Sequence, residues 1–258
     1  MVKTSTTASF SLPLGPDSKW AVFIDIDGTL LDFCAKPERV VATHDVIRLL
    51  PALQRTFNGA VALLSGRPIR DVDRILFPLQ MPCAGLHGAE RRSSDGELSR
   101  LTVDDSIVAE VRSAVSGLGA RQGVELEDKR AGFALHACPT LGWYEEMEAS
   151  IAAIAGQTHG VFRLLRGRNV IELVPRAAST GHALLAFLDE PAFAGRRPMV
   201  FGDDETDADA FRAATERNGI AIAVGDHAPP SEHHIASPRD CRLLLSELVN
   251  LGDLGLVG

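Results

Sequence analysis

Apolar runs rich in Val and Ile alternate with amphipathic segments along most of the chain. The run WAVFIDI (20–26) is apolar without the polar alternation of a half-exposed strand. That pattern predicts a central parallel strand covered on both faces. A helical stretch follows at about 43–57, with a kink expected at Pro51. Asn58-Gly59 marks a turn, AVALLS (60–65) a second strand, and Pro68 the first turn of a short helix. Further on, PMVFG (198–202) and GIAIAV (219–224) are again short apolar strands with a helix between them. This β-α-β rhythm predicts right-handed crossovers and a mostly parallel sheet.

The middle of the chain reads differently. From about 91 to 174 it is more charged, with short strands at GFALHA (132–137) and NVIELV (169–174) and helical patterns at 104–118 and 140–155. Strands and helices without a second βαβ series predict a small α+β insert, taken as a cap over the active site. The expected organisation is a disordered Ser/Thr-rich leader over 1–18, a catalytic core over 19–90 and 175–258, and the cap over 91–174.

Composition narrows the function. The 258 residues suffice for one large α/β domain or a core with an insert. An apolar fraction of 45% and a charged fraction of 23% are those of an ordinary globular protein. A formal charge of −8 speaks against nucleic acid or an anionic membrane as partner, so a phosphate ligand would need a local cation site. No apolar run approaches the ~18 residues of a membrane span. Cys34, Cys83, Cys138 and Cys241 are scattered without a CxxC pair, which suggests a reducing cytoplasm. A cytoplasmic monomer is the expectation.

Three strand ends carry the chemistry. Asp25-Ile26-Asp27-Gly28-Thr29-Leu30 closes the first buried strand, and carboxylates two apart leave a strand on the same side. Ligands of parallel sheets bind beyond the carboxyl ends of the strands. Like charges buried there ask for a cation between them. Gly28 lets the backbone turn closely around a phosphate. Gly202-Asp203-Asp204-Glu205-Thr206-Asp207 repeats the arrangement after PMVF, and its acids suit Mg²⁺, which takes oxygen ligands. A helix N-terminus alone would explain one or two of them, not four. At the third end, Ser65 can hydrogen-bond a phosphoryl oxygen and Arg67 can supply charge; a turn with a helix cap is the plainer alternative.

DIDGTL, the Ser65 of LLSGR, and GDDETD resemble motifs one, two and four of the haloacid dehalogenase (HAD) superfamily. Closer still, the chain resembles the trehalose-6-phosphate phosphatase family. Gly85 to Glu90 is similar to its GxHGxE segment, Glu127-Asp128-Lys129 with His136 to its cap motif, and Gly167-Arg168 through Glu172 to its second sugar-binding stretch. The resemblance spans about 20–230. It implies a Rossmann-like α/β core with a C2-type cap, and a phosphatase acting on a small-molecule sugar phosphate. It further implies Asp25 as nucleophile, Asp27 as acid and base, and Ser65 on a phosphoryl oxygen. Mg²⁺ is implied on Asp25, Asp27 through its carbonyl, and Asp203, with Asp204 or Asp207 in support. Arg67, His87, Glu90, Lys129, His136, Arg168 and Glu172 are the implied substrate contacts. For the cap residues one by one, solvated surface is the competing reading, and His136 could be a core histidine.

Two departures stand out. Thr180 occupies the position of the family's motif-three lysine, and a neutral hydroxyl does not replace an ammonium. Losing a charged stabiliser commonly costs ~10²–10³ in rate. Either Arg176 or His182 compensates or the protein is impaired; Ser179 or Thr180 could also simply cap a helix. Next to His136, Ala137 and Cys138 stand where the family usually has an aromatic and an arginine. The alternatives to a trehalose-6-phosphate phosphatase are therefore a phosphatase for another sugar phosphate, or a silent sugar-phosphate-binding protein.

Overall fold

The computed structural model describes residues 2–3, 11–12, 19–34, 40–119, 124–130, 132–137, 144–167 and 170–254. The chain divides into two compact units, Met1–Ser99 with Thr180–Gly258, and Arg100–Ser179. At the start, β1 (Val2–Lys3) pairs antiparallel with β2 (Ser11–Leu12), inside the stretch expected as a leader. The rest of 1–18 lies outside the described residues.

The first segment of the core unit then runs through β3 (Trp20–Asp25), α1 (His44–Thr56), β4 (Val61–Leu64), α2 (Ile69–Ile75), β5 (Cys83–Gly85), β6 (Glu90–Arg92) and β7 (Leu98–Arg100). The second unit holds α3 (Asp105–Gly119), β8 (Val124–Asp128), β9 (Phe133–Ala137), α4 (Tyr144–Gln157), β10 (Phe162–Gly167) and β11 (Val170–Pro175). The chain returns to the core with α5 (Thr180–Leu188), β12 (Arg197–Gly202), α6 (Ala208–Glu216), β13 (Ile220–Val224), β14 (His233–Ile235) and α7 (Pro238–Asp253).

The core sheet has the order β14-β13-β12-β3-β4-β5-β6-β7. From β14 to β5 all neighbours are parallel; β6 turns back antiparallel on β5. Successive side chains of β3 enter opposite cores. Trp20, Val22 and Ile24 join one cluster with residues of α1, α2 and α7, whereas Ala21 and Phe23 join the other with residues of α5 and α6. This explains the unbroken apolar run, because neither face of β3 meets water. Phe23 stacks on Phe193 at 5.6 Å between ring centroids and lies tilted to Phe187 at 6.1 Å.

The second unit is a four-stranded antiparallel sheet, order β10-β11-β9-β8. Phe133, Leu135, Ile171 and Leu173 bury against Val108, Val111 and Val115 of α3 and Met147 and Ile151 of α4. It encloses a core of its own.

The division of the chain differs from the one expected at 91 and 174. The charged segment from Glu90 to Arg100 resembles insert surface in composition, yet its strands β6 and β7 form the edge of the core sheet. At the other end, Arg176 and Ala178 stay with the insert: the Arg176 amide donates to the Val161 carbonyl at 2.8 Å, and Arg163 Nη2 to the Ala178 carbonyl at 3.0 Å.

Candidate active site

Parallel register brings three loops to one sheet edge. Asp25 ends β3 opposite Leu64 of β4, so Ser65 follows at the next position. Phe201 of β12 lies opposite Ile24, which sets Gly202 and then Asp203 beside Asp25. One carboxylate oxygen each from Asp25, Asp203 and Asp207 lies within 4.8 Å of the others.

The acidic loop after β12 is shaped by its own side chains. Asp207 Oδ2 accepts from the amides of Asp203 at 3.0 Å and Asp204 at 3.3 Å. Asp204 Oδ1 accepts from the Thr206 amide at 2.8 Å and from Thr206 Oγ1 at 2.6 Å. Together these form a capping box over the turn Glu205–Asp207. Asp204 thus caps a turn, and Asp207 takes the place in the carboxylate cluster that the sequence offered to either. Thr29, which the sequence reading did not single out, donates from Oγ1 to Asp203 Oδ1 at 3.4 Å. Its signal was its place in DxDGT. Gly28 has φ +90°, and a Cβ there would stand 2.0 Å from Asp203 Oδ2. Glycine is required twice over, by conformation and by space.

Electrostatics follow from the crowding. Burial first, then the charges of Asp207, Asp203, Asp27 and Asp204, hold Asp25 well above the usual carboxylate range. Burial, then Asp204 and Asp203, does the same to Asp207. Burial and Asp204 push Asp203 up to about 7. Asp25 Oδ2 is buried and, among the described residues, has no hydrogen-bond partner.

Asp27 is placed otherwise. Its carboxylate takes a two-bond clamp from Arg67, Nε to Oδ2 at 2.5 Å and Nη2 to Oδ1 at 2.6 Å. Ser65 Oγ accepts from the Arg67 amide at 3.1 Å, an arrangement that leaves its own O–H to donate. Beyond β5, Leu86, His87 and Gly88 have φ of 50°, 54° and 97°. Two consecutive non-glycine residues in the left-handed region are strained, as happens at functional loops. The His87 amide donates to the Ser65 carbonyl at 3.0 Å and the Leu86 amide to the Arg67 carbonyl at 3.0 Å, which ties this loop to the one after β4. Glu90 Oε2 accepts from the Ile69 amide at 3.0 Å and so holds the first turn of α2.

Thr180 opens α5, buried, with Oγ1 donating to the Thr206 carbonyl at 3.4 Å. The sequence offered two candidates for a compensating cation. His182 is exposed, and the exposed Arg176 donates from Nε to the Gly160 carbonyl at 2.9 Å within the insert.

Inside the insert, Glu127 and Glu172 both lie opposite Ala134, so they share its face, and His136, two residues on, joins them. The other face is the apolar core. Lys129 Nζ pairs with Glu172 Oε2 at 2.8 Å, both side chains under a tenth exposed. His136 Nε2 lies 3.1 Å from Glu127 Oε2, and that hydrogen bond is the main reason the Glu127 carboxyl sits below its ordinary range. His136 is therefore half-buried and polar-paired rather than a core histidine. Arg168 lies outside the described residues.

Among the described residues, no helix is long and apolar enough to cross a membrane. A family model described as Trehalose-phosphatase matches residues 23–243. A probable trehalose-phosphate phosphatase of Sinorhizobium fredii is 35% identical over 213 residues, 83% of this chain and 80% of that protein. The trehalose-6-phosphate phosphatase of Escherichia coli is 33% identical over 224 residues, 86% and 84% of the two chains. Among solved structures, a trehalose-6-phosphate phosphatase related protein aligns with TM-score 0.73 at 23% identity, over 91% of this chain and 99% of that one. The C-terminal domain of Candida albicans trehalose-6-phosphate phosphatase gives TM-score 0.76 at 19% identity, over 90% and 92%. At those identities the likeness is one of fold.

Proposed function

The chain belongs to the trehalose-phosphatase family, and from that membership we propose that it is a Mg²⁺-dependent phosphatase that releases phosphate from trehalose 6-phosphate through an aspartyl-phosphate on Asp25. The observation that carries the reading is the Asp25 carboxylate itself: one oxygen buried without a partner, and the group crowded by Asp203 and Asp207. Three carboxylates this close, Asp203 and Asp207 buried and Asp25 half-buried with Oδ2 shielded, are costly unless a cation joins them. An all-oxygen donor set fits Mg²⁺, with Asp25, Asp203 and Asp207 holding it. When bound it would offset the charge of the nucleophile and of the phosphoryl oxygens.

In this reading Asp25 attacks phosphorus with a carboxylate oxygen while the bond from phosphorus to the sugar oxygen breaks. Asp27 gives that oxygen a proton and later takes one from the water that hydrolyses the acyl phosphate, a role normally worth ~10²–10⁴-fold. Ser65 donates its O–H to a phosphoryl oxygen. In the insert, Lys129, His136 and Glu172 hydrogen-bond sugar hydroxyls. The pairing of Lys129 with Glu172 presets both for that task.

The test is phosphate release from trehalose 6-phosphate with and without Mg²⁺, against a panel of other sugar phosphates, with Asp25→Asn as the blank. Mg²⁺-dependent release with trehalose 6-phosphate preferred is the expected result. A tenfold preference for another sugar would overturn the substrate assignment.

Thr180 favours a second reading, a sugar-phosphate-binding protein without turnover. Binding of trehalose 6-phosphate with no phosphate release, and a large gain in release on Thr180→Lys, would establish it.

A further inference from the structure

The cluster in the core unit counts five carboxylates that act on one another: Asp25, Asp27, Asp203, Asp204 and Asp207. A divalent cation leaves such a group negative, and a phosphate monoester adds close to two further negative charges at neutral pH. Phosphate therefore needs a cation from the protein. The position where the sequence resemblance leads one to look holds Thr180, whose hydroxyl is turned to the Thr206 carbonyl. His182 and Arg176 are exposed.

Among the described residues, Arg67 is the cation hydrogen-bonded into this cluster. Its backbone is fixed from three sides. The amide holds Ser65 Oγ at 3.1 Å, the carbonyl accepts from Leu86 at 3.0 Å, and the Gly85 backbone approaches so closely that a Cβ there would lie 2.8 Å from that carbonyl. The guanidinium, by contrast, sits on a flexible stem, with the side chain 13% exposed and its Asp27 partner 27% exposed. Its planar fork fits a carboxylate and a phosphoryl group equally well.

We propose that Arg67 is the phosphate-binding cation of this site, parked on Asp27 in the free protein and drawn onto the phosphoryl group when substrate arrives. The exchange replaces one two-bond clamp with another, so the guanidinium itself stays paired throughout. It also takes the guanidinium off Asp27 at the moment when that carboxyl is needed at the sugar oxygen. The proposal rests on the phosphatase reading. It differs from it in naming which side chain makes up for the neutral residue at 180.

The experiment is calorimetric titration of inorganic phosphate, in saturating Mg²⁺, into the full-length wild type and the variants Arg67→Gln, Thr180→Lys and the pair combined. Arg67→Gln is expected to weaken phosphate binding by about tenfold or more, the worth of a charge-assisted hydrogen bond. Thr180→Lys in that background is expected to restore it to within about threefold, since both changes concern one charge; in the wild-type background it should alter affinity by less than about threefold. Unchanged phosphate affinity in Arg67→Gln overturns the proposal, as does failure of Thr180→Lys to restore it. Should Arg67→Gln not fold, the single Thr180→Lys variant decides: a gain of about tenfold would mean that the wild type has no phosphate cation. A wild type that binds no phosphate sinks the phosphatase reading itself, whereas equal binding by wild type and Arg67→Gln sinks the role of Arg67 alone.

Discussion

Asp25, Asp203 and Asp207 are forced together by the strand ends and loop that carry them, so each loses affinity for the charged state. The sign of the consequence is definite. Asp203 is raised from 3.8 to about 7, so between those values the folded, metal-free protein holds a proton that the unfolded chain has released. Its contribution to stability is full below about pH 4 and is lost as pH rises through 7. A metal-free sample should accordingly melt lower at pH 8 than at pH 6, with Mg²⁺ closing the gap. Asp207→Asn removes one repelling charge yet keeps an oxygen for the two amides that Asp207 holds. It should raise the metal-free melting temperature at pH 8 and cancel the Mg²⁺ increment, both read by thermal melts. Gly28→Ala acts the opposite way. A left-handed φ costs an alanine about 1–2 kcal/mol, and the new methyl displaces Asp203. Denaturant titration should show that loss, and Mg²⁺ should no longer stabilise the variant.

At the scale of elements, α1 carries Pro51 well inside its 13 residues. Proline there lacks the amide that would bond the Ile47 carbonyl, and relative to alanine it costs up to ~3 kcal/mol. Pro51→Ala should stabilise the protein by about 1–3 kcal/mol in denaturant titration, with phosphate release unchanged. The strands β3, β4, β12 and β13 were legible because burial on both faces writes them as unbroken apolar runs. Strand β8, VELED, was not: none of its positions is fully buried and two are exposed, and such an edge strand carries no strong apolar signature. Strands β6 and β7 were hidden for the same reason, which moved the expected boundary of the insert by several residues. In the site, Asp25, Asp27, Ser65 and Asp203 could be read because each stands at or just after a strand end. Asp204 and Asp207 could not be told apart, because which one turns inward depends on the capping box and not on composition. Glu90 shows a further limit, since its hydrogen bond to the Ile69 amide pairs residues 21 apart in sequence.

For the whole molecule, each unit has its own buried core, and the metal-fitting carboxylates all belong to one of them. A ligand stabilises the folded state that binds it, and two units that unfold independently would show that only in the one with the site. Scanning calorimetry should resolve two transitions, of which Mg²⁺ raises one and leaves the other, that of residues 100–179, in place. Two coincident transitions moving together would refute this. The pairing of β12 with β3 has a further consequence on the ribosome. Strand β3 ends at Asp25 and β12 opens at Arg197, with the complete insert between them. At roughly 5–20 residues per second, the nascent β3 waits on the order of ten to thirty seconds for its neighbour. The insert, local in its pairings, has time to finish first. Throughout that interval one hydrogen-bonding edge of β3 is uncovered, and Asp25 has neither Asp203 nor Asp207 beside it. A chain without β12 is thus sticky at that edge and indifferent to metal, and the site comes into being only once β12 and the acidic loop after it have been made.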